Sequence, residues 1–510
     1  MGNEVLTQVE QKNIISRYVR YPRYEKISAE LIGCGKVSFD KSVIPWRDKA
    51  NWGIGDELVG FKIDELEVFA TEDMTGINYL PDTFVNSEIL SANRYLAYKL
   101  PYEATGFLTL KINCKCKTRL YVLFDEIADS NGLANHLRIG CANVVRYDLC
   151  EGMHNLQMFE VYSMHYLQIV VTEGECTVEK LGMTEYKHPP IKIPDIKSEK
   201  LRKIAVATAE TYRQNAVDIF MDCPSRERAG WLCDSFFTAK TEYFLTKESL
   251  VEKSFLENFL HEDTYEFLPD GMLPMCYPAD FYDKNYIPQW AMWLVLQLKE
   301  YYERSQDIDL IERFELKIKK LFTFYSQHEN MYGLLEKLGG WNFVEHSKAN
   351  DLINDVNYPT NMLYYAALNA VGQLYNNSDY LEKAQKIKKI VLQQSFNGEF
   401  FSDNAVWDNE ELKTTGEITE VCQYYAFFFG VADVKTHKNL LETLIAEFGP
   451  KRKNPQKWEK VYPAAPFIGY FLRLDLLYKY GEFERLKENI ENYYYDMACK
   501  TGTLWEHADV

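Results

Sequence analysis

From about residue 26 to 185 apolar and polar positions alternate in short runs, as in ELVGFKIDELEVFAT, GFLTLKINCKCKTRLYVLFDE, NLQMFEVYSMHYLQIVVTE and CTVEKLGMTEY. A period of two bounded by Gly, Asp and Asn turns predicts antiparallel strands, because successive side chains of a strand point to opposite faces. A β-sandwich is the natural package for such runs. Residues 188–200, HPPIKIPDIKSEK, are Pro-rich and then charged, the composition of an interdomain linker. Residues 1–190 are therefore expected to form an antiparallel β-sandwich accessory domain and 191–510 a second domain. Cys114 and Cys116, one residue apart on an apparent strand, are expected to point to one face as packing residues.

Beyond residue 200 the period becomes helical. Helices are predicted near 199–217, 233–245, 248–261, 288–304, 307–327, 358–375, 379–394, 418–431, 434–447, 466–481 and 483–498. Asp307 is placed to cap DIDLIERFELKIKKLF, and Pro288 stands at a first-turn position where its missing N–H costs nothing. Paired helices joined alternately by short turns and long loops suggest an (α/α)6 barrel without strict repeats. Eleven helices leave it one short of closure, with either a last helix lacking or an N-terminal helix concealed. The long loops carry DCPSRERAGWLCDS, LPDGMLPMCYPADFYDKNYIPQW, GGWNFVEHSKANDLINDVNYPTN, TTGEITEVCQYY and TGTLWEHADV. In such a barrel these loops open on one mouth, where function concentrates.

Composition narrows the function classes. Hydrophobic residues make up 46% and charged residues 26% of the 510, as in ordinary globular proteins. Aromatic residues reach 15%, which suits either a large helical core or flat platforms for sugar faces. A net charge of -18 repels phosphate backbones, so nucleic acid is not expected as a partner. Even AMWLVLQL at 291–298 is too short and too closely flanked by charge for a membrane span. The first residues show no basic and apolar leader, which predicts a cytoplasmic protein, or a periplasmic one if a leader has been removed. Eleven cysteines without CxxC spacing fit reduced thiols better than a disulfide framework or zinc site. No phosphate loop, nucleophile elbow or metal-ligand spacing occurs, so neither cofactor nor metal is expected.

The densest chemistry lies in Asp222-Cys-Pro-Ser-Arg226-Glu227-Arg228-Ala-Gly230-Trp231-Leu-Cys-Asp234. Pro224 blocks helix continuation and Gly230 permits a tight turn, so a fixed, non-helical loop with converging side chains is predicted. The same spacing is compatible with salt bridges and helix caps alone.

DCPxRE followed by GW and an Asp resembles the signature of glycoside hydrolase family 78, the bacterial α-L-rhamnosidases. DGMLP with IPQWAMW, GGW at 339–341, NYPTNMLYYAAL, FIGYFLRLDLL and TGTLWEH follow in the family's order, so the likeness spans about 199–510. The N-terminal 190 residues are similar to the family's accessory domains only in class. The resemblance implies that Glu227 is a general acid and Glu506 a general base, that Asp222 and Asp234 bind sugar hydroxyls, and that Arg226, Arg228 and Trp231 line the pocket. The implied activity is inverting release of terminal α-L-rhamnose. Cys233 stands where many relatives carry Gly, which leaves the identity of the sugar open.

Inversion needs a protonated carboxyl on the leaving oxygen and an ionised one holding water on the opposite ring face. Flanking arginines favour a carboxylate at Glu227, so Asp222, Asp234 or burial must oppose them. Further candidates for sugar binding are Trp341, Glu345 and His346 in one loop with Asn342, Glu420 with Glu417 and Gln423 on one helical face, and Trp505 and His507 beside Glu506. Trp341 also reads as a buried structural ring, GEITE as a capping sequence, and Asp270 in PDG as a turn residue. Two rival functions remain on these residues, another (α/α)6 glycosidase of trehalase-like or other deoxy or uronic specificity, and a degenerate protein that binds glycans without cleaving them. A carbohydrate is the expected partner, and a homodimer is compatible with the reading.

Overall fold

The computed structural model describes residues 17–43, 57–58, 61–62, 73–82, 89–138, 143–225, 227–265, 267–278, 285–453 and 455–507. Most of the run ELVGFKIDELEVFAT falls outside them. Ten strands build one antiparallel sheet. They are β1 Lys26–Ser28, β2 Glu30–Phe39, β3 Ile77–Pro81, β4 Ile89–Ser91, β5 Arg94–Cys114, β6 Thr118–Asp125, β7 Val144–Leu149, β8 Gly152–Gln157, β9 Tyr162–Glu173 and β10 Glu175–Glu185. The long β5 is shared between layers, since it pairs with β2, β8, β9 and β10. Alternation sends Leu96, Leu120, Val122, Leu167 and Ile169 into one core and Tyr95, Ala97, Tyr121, Leu123 and Val170 into another. The cysteine pair differs from its prediction. β5 ends at Cys114, which is buried, while Cys116 lies exposed in the following turn.

The helices follow the predicted periodicity. They are α1 Glu199–Asn215, α2 Leu232–Thr246, α3 Leu250–Asn258, α4 Pro288–Ser305, α5 Ile308–Ser326, α6 Tyr358–Leu374, α7 Ser378–Ser395, α8 Glu420–Phe428, α9 Lys438–Glu447, α10 Ile468–Lys479 and α11 Phe483–Lys500. Asp307 caps α5 through Leu310 N at 3.2 Å, and Pro288 opens α4. α2, α4, α6, α8 and α10 pack in succession as an inner row. Outer helices bury a stripe, as α5 does with Leu310, Ile311, Phe314, Ile318, Leu321, Phe322 and Tyr325. The buried Trp293 ring of α4 meets Phe236, Phe237, Tyr425, Phe428 and Phe429 at the centre. The row closes where α11 packs on α1, with Ile204, Ala207 and Ala498 buried between them and Leu201, Ile490, Tyr494, Tyr495 and Leu504 around. Among the described residues no helix is long and apolar enough to cross a membrane.

Candidate active site

The loop between α1 and α2 is closed on itself by its own hydrogen bonds. Asp222 N donates to Ala229 O at 3.2 Å, and Ala229 N donates to Asp222 Oδ1 at 2.9 Å. Glu227 N donates to Cys223 Sγ at 3.3 Å inside that ring, and Arg228 takes the left-handed conformation at φ 50°. Gly230 serves a different purpose from the predicted turn. Its backbone runs against Tyr277, whose carbonyl would lie 2.5 Å from an added Cβ, so the glycine permits a close approach. Trp231 then caps α2 and donates its indole N–H to Glu227 Oε2 at 2.8 Å. Loop closure and indole together fix the direction of the Glu227 carboxyl.

Asp222, Glu227 and Asp234 are each partly exposed, although Asp222 and Asp234 are enclosed by protein on most sides. Burial, with the Glu227 charge beside it, pushes Asp222 up to about 7. Asp234, in the first turn of α2, is raised well above the usual carboxylate range by burial and then by Asp222, with Glu506 and Glu227 adding to it. One of its oxygens, Oδ2, is buried without a protein partner. Acids from the α1–α2 loop and from the far end of the chain therefore act on one carboxyl.

A carboxyl raised by burial costs nothing while it is protonated in both states, and folding weakens once the unfolded chain ionises, until pH reaches the folded value. Stability should thus fall as pH rises from the ordinary 3.8 of Asp222 towards its folded value of about 7, and be level above it. In Asp222→Asn that fall should be shallower, which melting temperatures from about pH 4 to 8 would check; parallel curves would dissociate Asp222 from the effect.

A continuous line of rings joins the two ends of the site. Trp231 meets Trp290 at 5.2 Å between centroids, Trp290 meets Phe343 at 5.4 Å, and Phe343 meets both Trp341 at 5.5 Å and His346 at 4.7 Å. His346 in turn meets His507 at 5.7 Å. Glu506 Oε1 stands 3.5 Å from Nε2 of both His346 and His507, an ion-pair distance when either ring is protonated. Trp341 is 39% exposed, leaving a ring face open to a ligand. It is held by its backbone N–H on Tyr286 O at 2.8 Å.

Other expected site residues stand elsewhere. Arg228 turns toward the sheet, donating Nη1 to Val161 O at 3.0 Å. Arg226 lies outside the described residues. Glu345 is buried, with its oxygens taken by Ser347 Oγ, Ala465 N and Gly469 N. Glu420 is buried against Arg452, Gly449 N and Tyr424, and Gln423 is consumed by Phe401 and Thr419 backbone groups. Thr419 is the cap of α8, accepting from Cys422 N. Glu345 and Glu420 thus belong to structural networks and are not brought to the acidic cluster. Trp505 folds back so that its indole donates to Thr501 Oγ1 at 2.8 Å. Asn342 accepts from Gln289 at 3.0 Å. Trp290 and Phe343, which complete the line of rings, were not among the expected residues. Pro288 marks the start of α4, and that start places Trp290 in its first turn, beside Trp231 and Phe343, so a signal for Trp290 did exist.

A family model, the bacterial α-L-rhamnosidase 6-hairpin glycosidase domain, matches residues 196–506. The chain belongs to this family. Among solved structures, the family 78 rhamnosidase of Bacillus sp. GL1 is similar at 18% identity and TM-score 0.70, over 83% of this chain and 43% of that one. A Klebsiella oxytoca rhamnosidase, described with rhamnose bound, is similar at 13% identity and TM-score 0.69, over 95% of this chain and 90% of that one. An α-L-rhamnosidase from Aspergillus terreus gives 15% identity and TM-score 0.60, over 82% and 49%. The chain thus spans less than half the length of the Bacillus relative, and at these identities the likeness is one of fold. No curated protein matches the chain in sequence. As in the solved rhamnosidases, a six-hairpin glycosidase domain stands beside a β-sandwich.

Proposed function

We propose that the chain is an inverting glycoside hydrolase that releases terminal α-L-rhamnose, with Glu227 as general acid and Glu506 as general base. The observation that carries this reading is the line of rings that runs from Trp231, which holds Glu227, through Trp290 and Phe343 to His346, 3.5 Å from Glu506. That line joins acids from loops at opposite ends of the barrel sequence, as a two-carboxylate mechanism requires. Family membership and the rhamnose-bound relative support the choice of sugar.

In this mechanism Glu227 gives its proton to the glycosidic oxygen as the bond from the anomeric carbon breaks. Glu506 takes a proton from a water that attacks the opposite ring face, so an α-linked substrate leaves as the β-anomer. The two carboxyls stand about 6.5 to 9.5 Å apart in such enzymes, leaving room for that water. Trp231 aims the acid, and His346 and His507 hold the base. Asp234, kept protonated by its burial, donates a hydrogen bond to a sugar hydroxyl without adding charge, and Asp222, at about 7, offers its carboxyl to a second hydroxyl. Trp341 offers an apolar face to the ring.

A panel of p-nitrophenyl glycosides tests the proposal, with the first-formed anomer followed by proton NMR. The α-L-rhamnoside should be turned over with β-L-rhamnose appearing first, and α-glucoside, fucoside and uronide should be at least about a hundredfold poorer, the lower end of what pocket contacts discriminate. Preference for another sugar, or α-rhamnose as first product, would overturn it.

A further inference from the structure

The C-terminal turn that carries Glu506 is gripped from the other domain. Glu103 is 4% exposed, accepts from Ser163 Oγ at 2.6 Å through Oε1 and from Thr503 Oγ1 at 2.7 Å through Oε2. Thr503 precedes Glu506 by three residues and shares a hydroxyl contact of 2.8 Å with Thr501, which in turn receives the Trp505 indole. The sheet is locally irregular at this place. Between the pairs Met164↔Ala104 and Tyr166↔Lys99, β5 carries residues 100–103 where β9 has His165 alone. Bulges of this kind re-aim a side chain that regular pleating would direct elsewhere. Thr105, two residues on and on the same face, donates to Gln214 of α1 at 2.7 Å. The Glu227 loop meets the same domain through Arg228 on Val161, and Ser225 favours the charge on the neighbouring Glu126.

We propose that Glu103 is a positioning residue for the reaction, holding Thr503 so that the C-terminal turn presents Glu506 to the site. The inference rests on the assignment of Glu506 as general base. It makes the β-sandwich a working part of the active site through an interdomain contact. Burial, then the neighbouring Glu126 and Glu210, raise Glu103 to about 7, against the Ser163 and Thr503 hydroxyls that favour its charge. Near neutrality it can therefore serve as an uncharged acid, which glutamine imitates in shape and in hydrogen bonding.

The test uses the full chain with Glu103→Leu, Glu103→Gln and Thr503→Val. Glu103→Leu should lower kcat on p-nitrophenyl α-L-rhamnoside about a hundredfold, the cost of misplacing a reacting group by about 1 Å, with KM changed less than about threefold. The deficit should be equal on the 2,4-dinitrophenyl rhamnoside, because a better leaving group relieves the acid and not the base. Thr503→Val should behave alike, Glu103→Gln should restore most of kcat, and the Leu/Val double variant should be no worse than either single. Independently of activity, amide hydrogen exchange in residues 501–507 should quicken in Glu103→Leu and not in Glu103→Gln. Unchanged exchange there overturns the proposal, as does an equal kcat loss in Leu and Gln. If no rhamnoside is cleaved by the wild type, the functional reading fails while the exchange experiment still decides whether Glu103 holds the turn.

Discussion

Glu227→Gln is expected to lower kcat on p-nitrophenyl α-L-rhamnoside at least about a thousandfold, on the order lost with an essential general acid. The substitution changes little else. Glutamine keeps an oxygen for the Trp231 indole, so the side chain should hold its place, and KM should stay within a few fold. What disappears is the proton for the departing oxygen. The loss should therefore shrink on a 2,4-dinitrophenyl leaving group and grow on an alkyl rhamnoside. Turnover by the variant equal to wild type on all three substrates would remove Glu227 from the mechanism.

Glu506→Gln should cost a comparable factor, about a thousandfold, with the opposite dependence. A missing base is not relieved by a better leaving group, so the deficit should be alike on nitrophenyl and dinitrophenyl substrates. Azide needs no deprotonation and can attack where the water stood, so it should recover part of the rate and yield a β-rhamnosyl azide. His346 and His507, each 3.5 Å from Glu506, would still border that space in the variant. Absence of both a rate loss and an azide product would exclude Glu506 as base, leaving Glu227 to be judged by its own variant.

Periodicity was the part of the sequence most easily read. The helices begin and end within a few residues of their predicted bounds because apolar spacing and caps such as Asp307 are local signals. Carboxylates were harder. Asp222, Glu227 and Asp234 fall near one another in sequence, so their meeting needs only a closed loop. Glu345 and Glu420 carry the same chemistry in equally plausible loops, yet backbone donors at Ala465, Gly469 and Gly449 claim them, and no spacing announces a donor about 30 or 120 residues away. Gly230 was correctly marked as special but for the wrong reason, since the Tyr277 carbonyl that crowds it arrives from another loop. Glu103 lies at the far limit of that difficulty. Its partner Thr503 sits 400 residues along the chain, and a bulge aims it there.

The seam of α1 against α11 has a consequence for biosynthesis. Ile204 and Ala207 emerge from the ribosome long before the helix that covers them, so the first barrel helix must wait, partly uncovered, while nearly 280 residues are translated. At elongation speeds of about 5 to 20 residues per second, that wait is on the order of 15 to 60 seconds. The nascent chain is a natural client for chaperones through that interval, and heterologous expression should gain more from slowed induction and holdase supply than from any change to the mature surface.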